Sequence, residues 1–130
     1  MRVFTDNDLT IDFFPENNYI LVSRKRNLDI DMDKYLTGEW LKAIEKYKTE
    51  KQLVDYSGLM KPLSAEHQKY AQKNLIIPAI KISVKKVTFI IAKDLYAQMS
   101  PKQIMLNTSD VLEFKYFADF NKAKNWLLQK

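Results

Sequence analysis

Apolar and polar residues alternate from Leu9 through Thr10, Ile11 and Asp12 to Phe13, the period of a strand with one buried face. Pro15, Glu16, Asn17 and Asn18 follow as turn chemistry, and Tyr19-Ile20-Leu21-Val22-Ser23 is again β-branched or aromatic. The pair predicts an antiparallel hairpin. Arg2 to Thr5 carries a fainter strand signal, and Arg24, Lys25 and Arg26 are expected near the strand end, in solvent.

The period then changes. Leu36, Trp40, Leu41, Ile44 and Tyr47 recur about once per helical turn among lysines and glutamates, predicting an amphipathic helix from Asp31 to about Lys48. Gly38 lies inside it, at a cost of up to ~1 kcal/mol relative to Ala. Gln52 to Ser57 reads as a short strand. From Ser64, an N-cap with Glu66 in the first turn, a second helix places Tyr70, Ala71, Leu75 and Ala79 on one face, and Pro78 is expected to kink or break it. Residues Leu75 to Ile80 are apolar around more than one face, so something besides a sheet should cover them.

Val87 to Ala92 is the continuous apolar run of a central strand buried on both faces. Asp94 can cap a short turn through Gln98, and Ser100, Pro101 and Gln103 predict a helix to about Asn107. Glu113 to Phe117 alternates as a strand, and Asp119 caps a last helix with Phe120, Ala123, Trp126 and Leu127 on one face. Helix and strand therefore alternate after the hairpin. The expected class is α/β, with a mixed, mostly parallel sheet, an N-terminal antiparallel hairpin and flanking helices.

Neither repeat nor linker interrupts this order, and 130 residues suit a single domain, 1–130, with one core. At 46% hydrophobic and 28% charged residues, order is expected almost throughout. Cysteine is absent, which excludes disulfides, thiolate nucleophiles and thiolate zinc sites. Met1 to Asp12 lacks a signal-peptide pattern and no apolar run approaches the ~20 residues of a membrane span. A cytoplasmic chain is expected.

Charge sharpens the picture only locally. Successive segments 1–30, 31–60, 61–90 and 91–130 carry net charges of −1, −1, +5 and +2. The excess comes from Lys61, Lys69, Lys73, Lys81, Lys85 and Lys86, with Lys69 and Lys73 one helical turn apart as a candidate anion patch. No arginine or stacking motif accompanies them. A solvated face is the first reading; no nucleic-acid partner is expected, nor contact with a membrane surface.

Little else carries chemistry. His67 is the single histidine; it has no nucleophile or orienting carboxylate at motif spacing and reads as a surface or capping residue. Asp29, Asp31 and Asp33 imitate the start of a calcium loop, but Lys34 and Trp40 occupy the positions of its glycine and glutamate, so helix capping is the simpler role. Gly38 and Gly58 are twenty residues apart and form no phosphate loop. No catalytic residue, metal ligand or cofactor site is expected. Ser57 and Ser64 remain as candidate switch or contact residues, since a phosphate is favoured at a helix N-terminus.

Several segments in order carry a resemblance: Asp55-Tyr56-Ser57-Gly58 at a strand end, a helix with late Pro78, Val84-Lys85-Lys86-Val87 into an apolar strand, Gln98-Met99-Ser100, and Phe117-Ala118-Asp119-Phe120-Asn121-Lys122-Ala123 running to Trp126-Leu127. Together they resemble the bacterial SpoIIAA-like family, related to STAS domains and CRAL-TRIO lipid-transfer proteins. The resemblance implies a mixed sheet flanked by helices, often a dimer, with no assigned activity for most members. STAS-type antagonists follow that strand end with Asp-Ser-Ser-Gly, the second serine being phosphorylated. Here those positions are Leu63, Ser64, Ala65 and Glu66, which argues against transferring the switch.

The leading expectation is a non-enzymatic, STAS-like interaction or regulatory module acting by contact with a protein partner, with a homodimer as one form. The alternative is a carrier of a small apolar ligand or lipid in a CRAL-TRIO-like pocket. Leu75, Ile76, Pro78, Ala79 and Ile82 are the residues expected to line such a pocket or an interface.

Overall fold

The computed structural model describes residues 1–61, 63–98 and 112–129. Six strands form one sheet in sequence order: β1 (Arg2–Thr5), β2 (Leu9–Phe14), β3 (Tyr19–Arg24), β4 (Lys51–Tyr56), β5 (Lys86–Ile91) and β6 (Glu113–Phe117). The first two pairings are antiparallel and the remaining three parallel. The expected α/β class and mixed sheet are present, including the faint N-terminal strand, whose register shifts between Arg2 and Phe4. The helix expected from Ser100 to Asn107 lies outside the described residues.

Helix α1 (Ile30–Tyr47) joins β3 to β4. Asp29 caps it by accepting the Met32 N–H at 2.9 Å, and Lys48 ends it in a left-handed conformation at φ 51°. Helices α2 (Ala65–Ala71) and α3 (Ile77–Ile82) join β4 to β5, and α4 (Lys93–Gln98) follows β5. Right-handed connections that all advance the same way across a sheet place their helices on one face. The last helix, α5 (Phe120–Leu127), caps on Asp119 and turns back against the opposite face, over β4 and β5.

Two apolar layers result. Leu9, Ile11, Ile20, Val22 and Val54 meet Leu36, Trp40 and Ile44 of α1 on one side. Tyr19, Leu53 and Ile90 meet Ala123 and Leu127 of α5 on the other. Strand alternation explains the split: Ile20 and Val22 face one layer and Tyr19 and Leu21 the other.

That alternation also corrects one expectation. Arg24 continues the parity of Ile20 and Val22, so it is carried inward rather than into solvent and is only 3% exposed. Its guanidinium pairs with Asp33, 4% exposed in the first turns of α1, at 2.7 Å. Lys25 and Arg26 do lie at the surface.

Pro78 does not break its helix. The chain stays helical from Ala65 to Ile82, and the turn Gln72–Ile76 just before the proline widens to π-helical hydrogen bonding. Proline lacks an N–H and crowds the carbonyl four residues back; a wider turn there accommodates both. It also turns the helix surface, so that Ile76 and Ile80 join Ala71, Leu75 and Ala79 along one side.

Candidate functional site

Strands β4, β5 and β6 and the α2–α3 helix do not close on each other. Between them lies a cavity of about 580 Å³, within the range of ~300–1,000 Å³ usual for small-molecule sites. Residues of one parity supply its sheet wall: Gln52, Val54 and Tyr56 from β4, Val87, Phe89 and Ile91 from β5, and Phe114 and Tyr116 from β6. Ala71, Leu75, Ile76, Ala79 and Ile80 supply the helix wall, and Trp40, Ile44 and Val84 close the end near the strand starts.

Aromatic rings line much of the sheet wall. Phe89 stands between Tyr56 and Tyr116, at centroid distances of 5.8 and 5.2 Å, and meets Phe114 edge-on at 6.0 Å. Such contacts hold the rings in offset geometry and fix where the phenol oxygens lie.

The two ends of the cavity differ in polarity. At the strand starts the polar groups satisfy one another. Trp40 Nε1 donates to Gln52 Oε1 at 3.0 Å, Gln52 Nε2 donates to Thr49 Oγ1 at 2.7 Å, and Ser83 Oγ donates to the Thr49 carbonyl at 2.7 Å. At the carboxyl ends stand Tyr56, the last residue of β4, and Tyr116, next to last in β6. Among the described residues neither phenol oxygen has a hydrogen-bond partner. Burial pushes the Tyr56 phenol above its ordinary 10.0; Arg24 opposes this, while Asp33 and Tyr116 add to it. Burial likewise raises Tyr116. Both are hydroxyl donors at neutral pH.

Arg24 lies beside this polar end. Its guanidinium is 5.6 Å from the Tyr56 ring centroid, and its buried Nε has no partner. The exposed Lys61, Gln68, Gln72 and Gln98 complete the wall there.

The residues singled out from sequence take distinct places. Leu75, Ile76 and Ala79 line the cavity, whereas Pro78 lies outside its wall and Ile82 packs against the α1-side core. Ser57 is exposed, and its N–H donates to Asp55 Oδ1 at 2.9 Å. Gly58 is required where it stands, because a Cβ would come within 2.5 Å of the Lys25 carbonyl oxygen. The Asp55–Gly58 turn is thus built to pack on the end of β3.

Ser64 caps α2, accepting the His67 N–H at 3.2 Å, and its hydroxyl lies 2.6 Å from His67 Nδ1. His67 Nε2 is 2.9 Å from the Leu28 carbonyl. A carbonyl only accepts, so in the neutral ring Nε2 holds the proton and Nδ1 accepts from Ser64. The histidine is a capping residue that also ties α2 to the segment before α1. Lys69 and Lys73 are exposed and stand apart from the cavity wall. Asp29 caps, Asp33 is ion-paired and Asp31 is exposed, so the three carboxylates diverge.

Tyr56 and Tyr116 carry the hydroxyls of the described cavity wall, yet the sequence singles out Tyr56 only within a strand-end motif and Tyr116 only within a strand. Their parity with Val54 and Phe114 was the signal available.

A mixed sheet in strand order 1–6, with α1–α3 against one face and α5 against the other, defines a SpoIIAA-like fold. The chain is similar in structure to an uncharacterized protein of the DUF3478 family with a SpoIIAA-like fold, from Shewanella loihica PV-4, at a TM-score of 0.59 and 20% identity, over 96% of this chain and 99% of that one. No family model and no curated protein matches the sequence. Among the described residues no helix is long and apolar enough to cross a membrane.

Proposed function

We propose that this protein binds a small, elongated apolar molecule between its sheet and the α2–α3 helix, without turning it over. The observation that carries the reading is the cavity of about 580 Å³, walled by aliphatic and aromatic side chains. Apolar walls that face no protein atoms forfeit dispersion contacts and burial, and folds keep such a gap where a ligand restores them. The exposed wall residues Lys61, Gln68, Gln72 and Gln98 also lie on the segments that follow β4 and β5, and the crevice beyond the carboxyl ends of parallel strands is the usual position of ligands in open α/β sheets.

Of the two functions expected from sequence, the geometry favours the apolar carrier over the protein-contact module. The lipid-transfer side of the sequence resemblance points the same way. The switch version of the protein-contact reading finds less support, because the Ser64 hydroxyl is already engaged by both the backbone and the ring of His67.

The test is a titration with Nile red, a neutral apolar fluorophore. Ala79 is 6% exposed and lines the cavity, so Ala79→Phe fills the space without touching a polar group. The wild type should enhance and blue-shift the dye's emission saturably, and Ala79→Phe should abolish the response while melting no earlier. A wild type indifferent to the dye contradicts the reading.

A further inference from the structure

The cavity is built to orient what it holds. Its polar atoms near the strand starts are used up by Trp40, Gln52 and Thr49, whereas the Tyr56 and Tyr116 hydroxyls at the other end have no partner among the described residues. Among the described wall residues Lys61 is the single charged side chain, and it too belongs to that end, five residues beyond the end of β4. The charge there is thus one cation, with no carboxylate in the described wall, and the phenols stand among neutral amides, Gln72 and Gln98.

We propose that the ligand is an apolar carboxylic acid, bound tail-first, whose carboxylate accepts hydrogen bonds from the Tyr56 and Tyr116 hydroxyls beside Lys61. This rests on the apolar-ligand reading and adds a head group to it. The two rings are fixed by Phe89 between them, so little freedom is lost when their hydroxyls engage. Hydrogen bonds to an ionised acceptor are about twice as strong as neutral ones, and the two half-buried phenols can each donate one. The neighbouring Arg24–Asp33 pair has no net charge, which leaves Lys61 as the counter-charge of the head.

Displacement of Nile red by three amphiphiles of one tail length tests the assignment: laurate, its methyl ester and dodecylamine. Laurate should bind at least about tenfold more tightly than the amine or the ester, as charge-assisted hydrogen bonds predict. The double variant Tyr56→Phe/Tyr116→Phe keeps both rings and should lose about tenfold or more in laurate affinity while binding the dye unchanged; Lys61→Gln should narrow the gap between acid and ester. Equal binding of laurate and dodecylamine, or full laurate affinity in the double variant, overturns the carboxylate assignment but leaves the cavity reading standing. Failure of the wild type to bind the dye overturns both.

Discussion

Gly38 sits mid-helix on the exposed side of α1, and nothing lies within 4 Å of where its Cβ would be. The helix there gains neither packing nor a special backbone angle from glycine, so Gly38→Ala should stabilise by up to ~1 kcal/mol, chiefly by restricting the unfolded chain; urea unfolding measures it, and a loss of stability would contradict the open space. The tyrosines give a second residue-scale prediction. Burial raises Tyr19, Tyr56 and Tyr116 above 10.0. A group whose pKa is higher when folded keeps its full contribution below its unfolded value and loses it as pH rises through the folded value. Stability should therefore hold up to about pH 10 and fall above it, with these phenols ionising late in the absorbance titration. Lys86, lowered by burial, works in the opposite sense, since its neutralisation favours the folded state. Replacing Tyr56 and Tyr116 by Phe should soften the alkaline fall, and an unchanged profile would contradict their burial.

Between elements, the buried Arg24–Asp33 contact joins β3 to α1. Removing one partner of a buried pair typically costs ~3–5 kcal/mol because the other charge is stranded, whereas an apolar replacement of both is often near neutral. Arg24→Met and Asp33→Leu should each destabilise strongly and the double variant much less; additive losses in a double-mutant cycle would refute the coupling. Sequence periodicity located nearly every described element, since α1 and the β2–β3 hairpin show their period in a single pass. It misplaced Arg24 because a charged cluster at a strand end suggests solvent, and only the pairing partner Asp33, nine residues downstream in the sequence and beyond β3, explains its burial. At Pro78 the helix is interrupted by a wider turn instead of a break; which of these a proline brings depends on whether the preceding turn can widen, and local sequence does not display that.

The molecule as a whole is a sheet with one closely covered face and one face held open. The α5 side closes with Leu53, Ile90 and Leu127, while the α2–α3 side leaves the cavity. Sequence revealed the apolar helix surface from Leu75 but not what faces it, because a cavity is a distance between elements and no periodicity encodes that distance. Tyr56 and Tyr116, sixty residues apart in sequence, become neighbours of one ring only through the β4–β5–β6 register. The most direct measurement of the central claim is native mass spectrometry of the protein isolated gently from its own cells. A population carrying the extra mass of one small apolar molecule, lost in Ala79→Phe, is predicted; an apo mass alone, unchanged by added laurate, would contradict it.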